Sequence, residues 1–114
     1  MKVYESDDFS EYLDFKTIKL KDNANVYEVE EIVDFKSPRK LASNDLYSSM
    51  RVRAEYDLEQ KLRKSLSKIA CSDSMGGGTV LLSDDRESDW EQITLDSNSE
   101  KKLELLVRNQ NNSS

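Results

Sequence analysis

The segment from Ser48 to Glu59 changes its hydrophobic period at its end, and this change constrains the fold most. Apolar residues alternate with polar ones at Met50, Val52, Ala54, Tyr56 and Leu58. A two-residue period is typical of a half-buried strand. Further apolar residues then follow at Leu62, Leu66 and Ile69 with the spacing of one helical stripe. We therefore predict a strand over 50–58 and a helix over 58–70, with Asp57 as its cap. One long helix over 44–71 is the alternative.

The rest of the chain predicts mainly strands. Their ranges are 15–21, 26–35, 79–83, 90–95 and 101–108, with a turn at 22–25. A helix remains open for 26–35, and also for 101–108, where Ser97 or Ser99 would cap it. Pro38 indicates that 37–48 is a connection, and Gly76, Gly77 and Gly78 indicate the end of the central helix.

The predicted fold class is α+β. The economical architecture is a mostly antiparallel sheet or small half-open barrel of about six strands, in the order β-β-β-α-β-β-β with one main helix. With 114 residues the chain fits one domain. We assign residues 1–14 to an acidic N-terminal arm, irregular or briefly helical, 15–108 to the domain and 109–114 to a polar tail.

Composition argues against several kinds of chemistry. The chain has no histidine and a single cysteine, Cys71, so internal disulfides, thiolate metal clusters and histidine-based catalysis are excluded. Carboxylates at 85, 87, 89 and 96 resemble a calcium loop only loosely, because Trp90 replaces the required glycine. We therefore expect no cofactor, no metal and no catalytic residues, and a protein that is not an enzyme.

The N-terminus turns acidic where a signal peptide would turn apolar, and no apolar run is long enough to span a membrane. A cytoplasmic location without membrane contact is the resulting expectation.

Charge is unevenly distributed along this acidic chain of net charge −6. Residues 36–68 hold nine basic side chains against four acidic ones. On the predicted helix, lysines at 61, 64 and 68 would form one ridge that could contact phosphates. This basic surface comprises Arg51, Arg53, Lys61, Lys64 and Lys68.

Acidic residues concentrate on either side of that segment. We predict that they form a partner-binding surface, with the one tryptophan as an interface anchor. Its residues are Asp84, Asp85, Glu87, Asp89, Trp90, Glu91, Glu28, Glu30 and Glu31.

These patterns favour a small acidic interaction protein that docks on a protein partner through complementary charge and a sheet edge. Three hypotheses follow: an inhibitor or adaptor of a basic or nucleic-acid-handling protein, a structural subunit of a larger assembly such as a viral one, and a nucleic-acid binder through 36–68. Acidic and basic regions of two copies could also meet, so self-association is a further possibility.

Overall fold

The computed structural model describes residues 1–21 and 25–112, without the side chains of 110–112. It contains seven strands, a 3₁₀ turn at Ser74–Gly76 and one C-terminal helix. The strands are β1 (Lys2–Glu5), β2 (Phe9–Leu20), β3 (Val26–Lys40), β4 (Leu46–Asp57), β5 (Leu62–Cys71), β6 (Val80–Asp84) and β7 (Glu91–Gln92), and the helix is α1 (Asn98–Asn112).

All strands pair antiparallel in one open sheet with the order β1-β2-β3-β4-β5-β6. Strand β7 also pairs with β5, at Leu62 and Arg63, whereas β6 pairs with the other end of β5. The mostly antiparallel sheet is therefore confirmed. The half-open barrel and the central position of the helix are wrong, because the sheet does not close and the helix follows the strands. No helix in the described residues is both long and apolar enough to cross a membrane.

The strand at 50–58 is confirmed as β4, but the helix over 58–70 is wrong, and so is the long helix over 44–71. Residues 62–71 form β5, which pairs with β4 along its length. The pairing shifts between Ser65 and Ser67, so Leu66 is an extra residue in the ladder. In a regular strand, residues on one face are an even number of positions apart. Because of the bulge, Leu62 and Ile69 lie on the same face although they are seven positions apart, and this spacing resembles that of a helix.

Two further connections turn out to be strands. Residues 1–14 are not an arm but contain β1 and the first half of β2. Strand β3 is confirmed over 26–35 but continues through Pro38 to Lys40. Proline is tolerated there because the pairing with β4 is interrupted between Asp34 and Arg39. The predicted turn at 22–25 falls mainly on 22–24, outside the described residues.

The C-terminal segment is a helix, so the strand preferred over 101–108 is wrong and the capped-helix alternative is right. Ser97 Oγ accepts a hydrogen bond from the Glu100 amide at 3.1 Å, as an N-cap does. The helix reaches Asn112, and therefore includes most of the predicted tail. The strand predicted at 79–83 is confirmed as β6, whereas that at 90–95 shortens to β7.

The core lies between α1 and one face of the sheet, here called the helix face. Leu103 and Leu106 of α1 pack against Leu13, Val29, Ala54 and Tyr56 from the three central strands β2, β3 and β4. The other face of the sheet, called the open face, carries the alternate side chains of these strands.

We predict that Leu106→Ala destabilises the domain by about 2–5 kcal/mol, because it removes buried methyl groups and leaves a cavity under the helix. Chemical denaturation measures the change in free energy of unfolding. Leu95→Ala is the matched control, since Leu95 is 83% exposed and its truncation should change stability by no more than about 0.5 kcal/mol. Equal effects of the two changes would contradict the packing of α1.

Candidate interaction surfaces

The open face brings together charges that are far apart in the sequence. Strands β3 and β4 pair antiparallel, which places Glu28 and Glu30 beside Arg53 and Arg51. The Arg53 and Glu28 side chains approach to 2.7 Å, and so do those of Arg51 and Glu30. The predicted acidic and basic surfaces therefore neutralise each other here instead of facing two partners.

More lysines complete this ladder of cross-strand ion pairs. Lys21 contacts Glu28 at 3.2 Å and Glu55 at 3.3 Å, and Lys64 lies 3.6 Å from Glu55. Burial by itself raises the pKa of Glu28, but Arg53 and Lys21 outweigh it, so the net pKa lies below its ordinary value. Opposite charges on neighbouring strands stabilise their pairing.

The 3₁₀ turn lies over part of the open face. Ser49 Oγ accepts a hydrogen bond from the Gly76 amide at 2.8 Å and donates one to the Asp73 carbonyl at 2.6 Å. Gly76 has φ +75°, and a Cβ there would lie 2.6 Å from Cδ of Arg51. Glycine is therefore required at this close approach, and the role predicted for it as a helix terminator is wrong.

Glu31 lies on the helix face and is only 2% exposed, so it belongs to no surface. Its carboxylate accepts a 2.6 Å hydrogen bond from Arg63, lies 3.4 Å from the Lys102 ammonium, and also accepts from the Tyr56 hydroxyl. Lys102 is 3% exposed and donates to Glu11 at 2.7 Å. This buried network joins α1 to strands β2, β3, β4 and β5.

The pKa values in the network follow from burial and charge. Burial alone raises the pKa of Glu31, but Lys102 and Arg63 outweigh it and leave the pKa below its ordinary value. Burial and the neighbouring Glu31 carboxylate raise the pKa of Tyr56 well above its ordinary value. Each charge in the network thus has an opposite charge beside it, as a buried ion requires.

The lysine ridge predicted for a helix does not exist. Lys64 pairs with Glu55 on the open face, whereas Lys68 is opposite Val52 on the helix face. The bulge at Leu66 separates them in this way, and Lys61 lies in the turn before β5 with φ +57°. A continuous array of lysines facing a polyanion is therefore absent from the described residues.

The acidic residues at 84–91 do lie together, along the edge of the sheet. Strands β6 and β7 both pair with β5, and between them Ser88 donates its amide to the Ser65 carbonyl at 2.9 Å. We call residues 80–92 the acidic edge. Its outer side has no strand neighbour in the described part of the chain.

Some charges of the acidic edge are already paired within the protein. Asp84 contacts Arg86 at 2.9 Å, and hydrogen bonding from Arg86 holds the pKa of Asp84 well below its ordinary value. Glu87 lies 3.4 Å from Lys64, whose ammonium also lies 4.9 Å from the centre of the Trp90 ring.

Other groups of the acidic edge face solvent. In the described residues, Asp85, Asp89 and Glu91 have no side-chain partner within the domain. Leu82 is 54% exposed and Trp90 39% exposed. The acidic edge thus carries unpaired carboxylates and two exposed apolar side chains, with Leu82 opposite Ala70 on the helix face and Trp90 near Lys64 on the open face.

Sequence reasoning missed a row of half-buried aromatic rings that runs across strands β1, β2, β3 and β4. Adjacent ring centres are 5.5–6.5 Å apart, and the rings belong to Tyr4, Phe9, Phe35 and Tyr47. Arg39 lies 4.3 Å from the centre of the Phe35 ring and Lys101 5.1 Å from that of Tyr4. The pairing of β2 with β3 places Phe9 opposite Phe35. The sequence prediction missed this contact because it began the first strand at residue 15 and not at Phe9.

Cys71 is buried at the end of β5, and burial raises the pKa of its thiol, which makes it a poorer nucleophile. The buried side chain therefore packs as a small apolar group. In residues 1–21 and 25–112, no three carboxylate or thiol side chains are grouped so as to hold a metal ion.

Comparison with known proteins identifies both family and fold. The model of a family described as surface-adhesin protein E matches residues 1–106. Comparison with curated protein sequences finds no match.

Solved structures of Haemophilus influenzae protein E share the fold. The first is 9% identical, with a TM-score of 0.76, and the alignment covers 94% of this chain and 89% of that chain. Crystal form II is 9% identical, with a TM-score of 0.77, and the alignment covers 94% of this chain and 92% of that chain. Protein E from a non-typeable strain is 10% identical, with a TM-score of 0.78, and the alignment covers 98% of this chain and 78% of that chain.

The family match overturns the expected class of function. A surface adhesin is neither a cytoplasmic inhibitor or adaptor of a nucleic-acid-handling protein nor a viral subunit, and the nucleic-acid-binding hypothesis is wrong as well. Self-association has no support from the family either. The expected cytoplasmic location is wrong as well, because the family is described as a surface adhesin.

We predict that Glu31→Gln costs about 3–5 kcal/mol near pH 7, because it leaves Arg63 and Lys102 buried without their shared carboxylate. Urea denaturation measures this loss. Glu104→Gln is the control, since Glu104 is exposed and has no ion-pair partner in the described residues.

The same network predicts a pH dependence. Since folding lowers the pKa of Glu31 below its ordinary value of 4.5, its contribution to stability is complete above that pH and is lost as pH falls through the folded-state pKa. Stability measured from pH 7 to pH 3 should therefore fall more in the native protein than in Glu31→Gln. Parallel curves would show that Glu31 is not held ionised by its neighbours.

Proposed function

The chain belongs to the surface-adhesin protein E family, and from this we propose that it is a non-enzymatic surface adhesion protein that docks on a protein partner through its acidic edge. The observation that carries the proposal is the combination found there: a sheet edge without a neighbour, unpaired carboxylates, and exposed apolar side chains.

The edge offers two kinds of contact to a partner. An unpaired strand presents backbone donors and acceptors to an extended segment, and side chains beside it give specificity. Trp90 on the open face and Leu82 on the helix face supply apolar contact on either side of the edge, and tryptophan is enriched among the residues that dominate interface energies. Asp85, Asp89 and Glu91 favour basic side chains on the partner.

The refined surface differs from the nine residues expected from sequence. We keep Asp85, Asp89, Trp90 and Glu91 as partner contacts, and we add Leu82. Asp84 and Glu87 support the edge through Arg86 and Lys64. Glu28 and Glu30 hold the sheet together, and Glu31 holds the helix.

The test is adhesion of beads coated with the purified protein to cultured epithelial cells. We predict that the double change Asp85→Lys and Asp89→Lys lowers the number of attached beads at least about tenfold, since it replaces attraction to a basic surface with repulsion. Adhesion of the unchanged protein should also weaken as salt rises, because exposed charges are screened beyond about 8 Å at physiological ionic strength.

Asp7→Lys with Asp8→Lys is the matched control, because it changes net charge equally at exposed positions near the opposite edge. Melting temperatures verify that both variants fold. Equal losses in the two variants would show a general charge effect and remove the acidic edge from the proposal. No attachment by the unchanged protein would contradict the adhesive function itself.

A further inference from the structure

A groove separates α1 from the segment 93–95 that precedes it, at the end of the domain remote from β6. Its volume is about 310 Å³, at the lower end of the range for small-ligand sites. Five apolar side chains line it: Leu58, Ile93, Leu95, Leu103 and Val107.

The two walls of the groove are fixed by the fold. Leu103 and Val107 are one helical turn apart and project from the same side of α1. On the opposite wall, the Ile93 amide donates to the Lys61 carbonyl at 3.0 Å, and Gln92 Nε2 donates to the same carbonyl at 3.2 Å. These bonds hold the segment at 93 against the turn before β5, so the groove is formed without a ligand.

Leu95 stands on this wall with 83% of its surface exposed, more than any other large hydrophobic side chain in the described residues. Exposed apolar groups that border a concave apolar surface mark ligand or partner sites. An aliphatic chain in the groove would cover Leu95 and part of Ile93 and Val107.

The rim carries four charged side chains. Lys61 and Arg108 have no carboxylate partner in the described part of the chain, and both line the groove. Glu100 already accepts a 3.0 Å hydrogen bond from the Asp96 amide. Glu104 has no ion-pair partner in the described residues, and its negative charge repels an anion that lies near the middle of α1.

From this arrangement we propose that the groove binds an aliphatic carboxylate, with the chain against the apolar walls and the carboxylate at Lys61 and Arg108. Lys61 and Arg108 are the two rim cations that attract an anionic head group, and the apolar lining suits a hydrocarbon chain better than a sugar or nucleotide. The site is independent of the acidic edge, so either can fail without the other.

Isothermal titration calorimetry tests the proposal with decanoate below its micelle concentration. We expect binding at one site per chain. Each methylene buried contributes about fourfold in affinity, so butyrate should bind at least about a hundredfold more weakly. Decyltrimethylammonium has the same chain and the opposite charge, and we expect it to bind at least about tenfold more weakly than decanoate. Equal binding of the two ten-carbon probes would contradict the role of Lys61 and Arg108.

Variants place the ligand within the groove. Leu95→Asp should abolish decanoate binding, whereas Leu46→Asp should leave it unchanged, since Leu46 is 55% exposed but lies outside the groove. Lys61→Glu should weaken binding about fivefold, the upper range for one exposed charge, and Glu104→Gln should strengthen it. The same loss in both leucine variants, or no response to Lys61→Glu, would overturn the proposal.

Discussion

The carboxylate of Glu31 is the point on which the rest of the structure depends. It lies on β3, near the centre of the sheet, and binds Arg63 on β5, Tyr56 on β4 and Lys102 on α1. A buried charge without partners would be strongly destabilising. The helix can therefore lie only where Lys102 reaches both Glu31 and Glu11. The apolar contacts of Leu103 and Leu106 follow from that position, and so does the groove on the other side of Leu103.

Ion pairing on the open face explains how so charged a chain forms a stable sheet. More than a third of the residues are charged in a sequence that is also only 36% hydrophobic. Cross-strand contacts such as Glu28–Arg53 and Glu30–Arg51 neutralise these charges where strands meet. Within the described residues, Asp85, Asp89 and Glu91 stay unpaired at the acidic edge, and Lys61, Glu104 and Arg108 stay unpaired at the groove. The fold thereby separates the charges that hold the sheet together from the exposed ones that we propose as partner contacts.

The likeness to Haemophilus influenzae protein E at 9% identity concerns the backbone arrangement and not particular side chains. An antiparallel sheet with one covering helix requires a pattern of buried and exposed positions, which many sequences satisfy. The proposed acidic edge and groove accordingly rest on the side chains of this chain alone.

The sequence by itself determined the elements whose hydrophobic pattern is regular. The alternation from Met50 to Tyr56 specified β4, β-branched and aromatic residues specified most of β3, and a short apolar run specified β6. It also located the acidic residues that form the edge. In β5 the bulge at Leu66 breaks the two-residue period, so the pattern did not predict a strand. In α1 the apolar run 105–107 resembles a strand, and the cap by Ser97 is what distinguishes it as part of a helix.

Only the tertiary structure decided which charges are free. Glu28, Glu31, Asp85 and Asp89 are equivalent acidic residues in the sequence, yet the first is paired, the second is buried and the last two face solvent. Strand register and the position of α1 make this distinction, because the partners of Glu31 lie 25 or more residues away along the chain. A local pattern cannot encode a contact between residues so far apart.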